Sequence, residues 1–172
     1  MRINYCMQCG GALVNKVIGD EGEQRYCPEC GKFYFDNPAC CVLTAIINER
    51  GEVLLLKQNY ISEKYVLCSG YMKKGDTPES AVAREVFEET GQSVLSCEYI
   101  GGYYFEPKNL FMLGFIANVR AGDFGRSNEV DGLMWTDLRS AAKLVERENN
   151  LSGIHLDNCM DFLKSNELLH KE

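Results

Sequence analysis

Two near-continuous apolar runs, at 40–47 and 53–56, are separated by Asn48-Glu49-Arg50-Gly51. That pattern predicts a β-hairpin with a glycine-containing loop. Continuous rather than alternating apolarity predicts strands covered on both faces. A short strand is expected at 65–68, and longer ones at about 93–105 and 110–119, with Glu106-Pro107-Lys108-Asn109 as turn material between them. A polar loop spans 120–132, followed by a short strand at 133–135. Thr136 is a candidate N-cap for a helix over 137–148, and a last helix at about 154–168 carries Ile154, Leu156, Met160, Phe162 and Leu163. A hairpin, a helix, more strands and terminal helices predict an α/β/α sandwich around a mixed sheet.

The remaining helix has the clearest ends. Thr77 is suited to the N-cap, with Pro78 at N1 and Glu79 in the first turn, and Gly91 suits the left-handed position that stops it. Its last two turns carry Arg84, Glu85, Glu88 and Glu89. Glu85 repels Glu88 and Glu89 across one turn, and all three face the negative end of the helix dipole. A charge run on a helix is ordinarily a solvated face. Here only Arg84 opposes the carboxylates, an arrangement that suits oxygen ligation of Mg²⁺ or Mn²⁺.

Composition narrows the classes. At 172 residues and 45% hydrophobic, the chain can bury one good core and carry a small appendage. A net charge of −7 argues against general nucleic-acid binding through a basic surface. No apolar run approaches membrane-spanning length, and the N-terminal residues lack a signal-peptide core, so a cytoplasmic protein is expected. Its nine cysteines then read as thiols or metal ligands. Cys6-x2-Cys9 and Cys27-x2-Cys30, 17 residues apart, have the spacing of a four-cysteine structural Zn²⁺ site. Redox-active pairs are the competing account. Cys40, Cys41, Cys68, Cys97 and Cys159 lack partners at ligand spacing and are expected to be small buried hydrophobes.

The stretch from Gly70 to Gln92 resembles the Nudix box, G-x5-E-x7-R-E-U-x-E-E-x-G-U, where U is bulky and apolar. Gly70, Arg84, Glu85, Val86, Glu88, Glu89 and Gly91 match, whereas Asp76 replaces the first Glu and Gln92 the final apolar residue. A zinc ribbon at 1–34 joined to a Nudix domain at 35–172 is similar to the NADH pyrophosphatase branch. That branch's signature S-Q-P-W-P-F-P-x-S is almost entirely absent at 102–110, where Phe105 keeps an aromatic at the Trp position. The resemblance implies metal-dependent hydrolysis of a nucleoside diphosphate linked to another moiety, NAD(H) among the candidates. ADP-ribose or nucleotide-sugar cleavage and a non-catalytic nucleotide sensor are the alternatives.

By the same resemblance Glu85 and Glu89 are metal ligands, with Glu88 supporting and Arg84 orienting the carboxylates. Glu129, six residues before Trp135, is expected to reach the site as ligand or general base, and Asp76 to contribute through water. Tyr71, Lys73, Tyr103 and Phe105 are the candidates for substrate contact, with Tyr104 and Lys74 beside them. Phe33 and Phe35 suit either a substrate wall or a homodimer interface.

Overall fold

The computed structural model describes residues 3–125, 127–148 and 150–169. The chain divides into two units, Met1–Pro38 and Ala39–Glu172. Among the described residues no helix is long and apolar enough to cross a membrane.

The first unit is a three-stranded antiparallel sheet, β1 (Val14–Val17), β2 (Glu23–Cys27) and β3 (Lys32–Tyr34), with β2 central. Among the described residues its core is Cys6, Leu13 and Cys27, with Ile3, Cys30 and Tyr34 packed against them. So little apolar burial cannot offset the ordering of the backbone without a cross-link. The cysteines are placed to supply one. Cys6 and Cys30 Sγ lie 3.8 Å apart, and Cys9 and Cys27 Sγ 3.6 Å. Thiolates about 2.3 Å from a tetrahedral Zn²⁺ stand about 3.8 Å from each other. Amides of Gln8, Gly11 and Cys30 point at the sulfurs of Cys6, Cys9 and Cys27 at 3.3–3.4 Å, stabilising thiolate charge. The Tyr34 hydroxyl, 3.0 Å from Cys6 Sγ, does most to pull that thiol down to about 6. Cys27→Ser is therefore expected to lose any metal cross-link that the four cysteines hold and to melt β1–β3. The checks are metal analysis and amide exchange across 14–34; retained protection after metal loss would refute the cross-link account.

The second unit is built on β4 (Ala39–Ile47), β5 (Glu52–Lys57), β6 (Tyr65–Val66), β7 (Cys68–Tyr71), β8 (Val94–Phe105), β9 (Leu110–Val119) and β10 (Gly132–Asp137). Five strands run in the order β10-β5-β4-β9-β8, with β6 on β5 and β7 on β4. β4 and β9 are parallel and the other pairs antiparallel, giving the expected mixed sheet. The helices are α1 (Pro78–Thr90), α2 (Leu138–Leu144) and α3 (Ser152–Leu169). Strand alternation sorts the core into two layers. Val42, Ile46, Leu54, Leu56 and Phe115 meet Ala81, Val82 and Val86 of α1. Cys41, Leu43, Ala45, Val53 and Leu55 meet Ala141, Leu156 and Cys159 of α2 and α3. An α/β/α sandwich results, with both faces of the hairpin covered.

Four expectations need correction. The 65–68 strand is two strands, because Leu67 leaves the ladder and donates its N–H to Ser152 Oγ (3.0 Å). The N-cap of α2 is Asp137, not Thr136: both still pair with β5, and it is Asp137, the last residue of β10, whose Oδ1 accepts from Arg139 and Ser140 N. That helix ends at Leu144 rather than 148, since Val145 turns extended to bridge Tyr65 and Glu146 N donates to Tyr65 O. Finally, Cys40 is exposed and Cys97 only half-buried, while Cys41, Cys68 and Cys159 are buried.

Candidate active site

Helix α1 begins with a reciprocal cap. Thr77 Oγ1 accepts from Ser80 N, and Ser80 Oγ accepts from Thr77 N. It stops at Gly91, whose φ of 76° is the left-handed conformation expected there. Ala81, Val82 and Val86 seat it on the sheet, and the same buried face carries Glu89 and Thr90 at its C-terminal end. A carboxylate is thereby driven into the protein.

Glu89 is 5% exposed. Its Oε1 accepts from Gln58 Nε2 at 3.2 Å, whereas its Oε2 has no partner. Burial pushes the carboxyl up to about 7; the nearby Cys68 thiol and the Gln58 amide counter this, and the charges of Glu85 and Glu129 add to it. Glu129 also acts, with Glu89 and Asp131, on the Tyr60 hydroxyl, which burial chiefly raises. The loop around Glu129 is tied to the end of β5: Asp131 N donates to Lys57 O and Asp131 Oδ2 accepts from Asn59 N.

Glu85 lies against the backbone of Gly70. A Cβ on that glycine would stand 2.0 Å from Glu85 Cδ and 2.3 Å from both its oxygens. Gly70 is therefore needed for side-chain space. Arg84 organises the remaining acids. Its Nη1 donates to Glu85 Oε1 and to Glu88 Oε2 (3.2 Å), and its Nη2 to Asp76 Oδ2 (2.8 Å) and Tyr71 O (2.9 Å). These bonds outweigh the burial that works against its charge. Lys73 Nζ stands 3.6 Å from Glu88. Asp76, bonded to Lys73 N and Arg84, closes the loop before α1.

The structure thus gathers Arg84, Glu85, Glu88, Glu89, Tyr71 and Lys73, with Glu129 in electrostatic range. It does not bring Tyr103 or Phe105 there. Both pack in the layer under α3, where the Tyr103 hydroxyl meets His155 Nδ1 at 3.0 Å and accepts from Asn158 Nδ2 at 2.9 Å. Sequence reading missed Gln58 and Phe124. Gln58 is a polar residue just past the apolar run of β5, with nothing local to mark it. Phe124 shares with Glu89 a cleft of ≈ 360 Å³, walled also by Val130, Leu133, Ser127 and Asn128. Cys68, expected as inert filler, is buried as foreseen but beside Glu89.

Among the described residues, the four cysteines are the group of three or more potential ligands whose donor atoms all lie within 4.8 Å of one another. The carboxylates of Glu85, Glu89 and Glu129 do not converge that closely. Their chemistry nonetheless suits a hard divalent cation: the donors are oxygens, the site is rich in negative charge, and buried Glu89 Oε2 and Gln58 Oε1 have no partner.

A NUDIX domain model matches residues 38–154. Similar curated proteins include the NAD-capped RNA hydrolase NudC of Photobacterium profundum, 24% identical over 165 residues, covering 94% of this chain and 60% of that protein. NudC of Haemophilus influenzae is 33% identical over 138 residues, covering 76% and 50%. The chain spans about half the length of the curated relatives it matches. A NUDIX hydrolase from Nitrosomonas europaea superposes with a TM-score of 0.75 at 22% identity, covering 96% of this chain and 93% of that one. The NUDIX domain of Shewanella oneidensis NrtR, crystallised with ADP ribose, gives 0.65 at 13%, covering 80% and 94%. At these identities the two structures speak to fold.

Proposed function

The chain belongs to the NUDIX domain family, and on that premise we propose that it is a divalent-metal-dependent hydrolase of a nucleoside diphosphate joined to a second group. The favoured substrates carry an NAD-type pyrophosphate, whether as the free dinucleotide or at the end of an RNA, with products NMN(H) and AMP or their RNA-linked form. The observation that carries this reading is Glu89: a buried carboxylate with one oxygen unpartnered, on the matched helix, among like charges that ordinary packing would avoid. A structural Zn²⁺ in the four-cysteine cluster and a cytoplasmic setting complete the proposal, with 1–34 as ribbon and 35–172 as hydrolase domain.

Glu85, Glu89 and Glu129 would hold Mg²⁺ or Mn²⁺, with Glu88 supporting. Such an ion supplies neutralisation of phosphate charge and lowers the pKa of water beside it. Arg84 restrains Glu85 and Glu88 so that their oxygens cannot swing away. Gln58 restrains Oε1 of Glu89 and leaves Oε2 available. Lys73, near Glu88, is placed to neutralise a phosphate oxygen. Tyr71, whose carbonyl holds Arg84 while its ring is exposed, is the nearest of the expected substrate aromatics.

Incubation with Mg²⁺ or Mn²⁺ and NADH, NAD, NAD-capped RNA, ADP-ribose, diadenosine polyphosphates or nucleotide sugars tests the reading. Cleavage of the NAD-type pyrophosphate with the highest kcat/KM is expected. ADP-ribose is the second candidate, because a NUDIX domain of this fold crystallised with it. No turnover of any compound with metal bound would sink the enzyme claim, and ligand binding without product would favour a sensor.

A further inference from the structure

Gln92, where the Nudix box has an apolar residue, is 2% exposed, and its amide is spent on the loop after β9. Oε1 accepts from Gly122 N at 2.9 Å, and Nε2 donates to Asp123 O at 3.1 Å and to Gly122 O at 3.4 Å. The loop is held at two further points. Gly125 N donates to Thr90 O at 2.9 Å, and Ala121 N to Glu49 Oε2 at 2.8 Å. Gly91 and Gly125 meet backbone to backbone: a Cβ on Gly91 would stand 2.4 Å from Gly125 N, and one on Gly125 2.8 Å from Gly91 Cα. A leucine at position 92 could fill the space but could not pair with Gly122 and Asp123.

Between these anchors stands Phe124. Its ring is 44% exposed and lines the cleft that also contains Glu89. A lone exposed aromatic is ordinary. This one lies on a segment bonded to the end of the box helix and shares its cleft with the buried carboxylate. The volume, ≈ 360 Å³, is at the lower end for ligand clefts and suits one heterocycle with its sugar. Val130 and Leu133 add apolar surface, and Ser127 and Asn128 offer hydrogen bonds to a base edge.

We propose that Phe124 is the stacking wall for the base of the nucleoside diphosphate substrate, and that Gln92 is the positioning residue that fixes this wall relative to Glu89. The proposal rests on the nucleotide-pyrophosphate reading of the site. It gives the polar residue at position 92 a role in substrate selection, outside the chemistry of bond cleavage.

The test uses the whole chain, with Phe124→Ala, Phe124→Tyr and Gln92→Leu. Two readouts are taken: kcat and KM on whichever panel compound the wild type cleaves, and calorimetric binding of α,β-methylene-ADP with Mn²⁺. Base–aromatic stacking is worth roughly 10- to 100-fold in affinity. Phe124→Ala should weaken KM and probe binding by about that factor with kcat nearly unchanged, and Phe124→Tyr should restore both. Gln92→Leu should weaken binding in the same direction and speed amide exchange at Gly122 and Gly125. Wild-type affinity in Phe124→Ala, a loss confined to kcat, or no probe binding by the wild type would overturn the wall. If no compound is cleaved yet the probe binds and Phe124→Ala releases it, the hydrolase reading fails and the wall stands.

Discussion

Glu89→Gln is expected to lose hydrolysis and, in metal-free buffer at pH 8, to unfold at higher denaturant concentration than the wild type. The two effects have one cause. Burial raises the Glu89 carboxyl from 4.5 to about 7, so between those values the folded chain holds a proton that the unfolded chain releases. The stability linked to that proton is complete below pH about 4.5 and is lost as pH rises through about 7. A shift of this size corresponds to roughly 3 kcal/mol by pH 8. Glutamine carries no charge to bury, so the variant should lack this pH dependence. The difference should be near zero at pH 5 and grow towards pH 8. Mn²⁺ should stabilise the wild type at pH 8 by binding the folded state, and the variant much less. With Glu89 holding the metal as proposed, its loss should lower kcat on the order of 10²–10⁴-fold. Urea titrations at three pH values, with and without Mn²⁺, provide the check. A pH-independent difference would disprove the assignment of Glu89 as the strained acid.

Gly70→Ala should be nearly as damaging to activity, for a steric reason. The added methyl would occupy the volume of the Glu85 carboxylate, 2.0 Å from its Cδ, so Glu85 must leave its position or α1 must shift. Overpacking of this kind is expected to destabilise by about 1–3 kcal/mol. With Glu85 holding the metal as proposed, turnover should fall about 100-fold. Glu85→Ala in the same background should return the stability but leave activity lost, which separates a local clash from general misfolding. Gly101→Ala, whose Cβ would meet nothing nearer than 3.7 Å, is the control expected to be near neutral. If the double variant stays as unstable as Gly70→Ala, the clash is not with Glu85.

Much of the site was legible because its parts are local in sequence. The spacing from Gly70 to Gly91 encodes one loop and one helix, and Thr77-Pro78 and Gly91 mark the helix ends chemically. The cysteine pairs likewise announce themselves by spacing. What could not be read depends on pairing between distant segments. Gln58 lies 31 positions from the carboxylate it holds, and Tyr103 lies 52 from the histidine that fixes it under α3. Tyr103 and Phe105 look like substrate aromatics along the chain, yet strand register turns them to the layer opposite α1. Gln92 reads as a flaw in the motif until the loop at 122–123 supplies its hydrogen bonds. The cap of α2 moved by one residue because β10 runs on through Asp137, whose carboxylate at the strand's end accepts from the first free amides of the helix.

The central parallel pairing of β4 with β9 has a consequence for how the protein reaches this state. Ala39 pairs with Leu110 and Ile47 with Asn118, so the two strands meet only after a loop of 71 positions has closed. Loop closure of that kind precedes the contacts that reward it, and non-local pairing slows folding. The hairpin of β8 and β9 and helix α1 depend on short-range contacts and should form earlier. Gln58 and Glu89 lie within the segment that the β4–β9 pairing closes, and Glu129 lies after it. Refolding followed at the cleft should therefore lag behind refolding followed by helix signal, with nucleotide-binding competence appearing in the slowest phase.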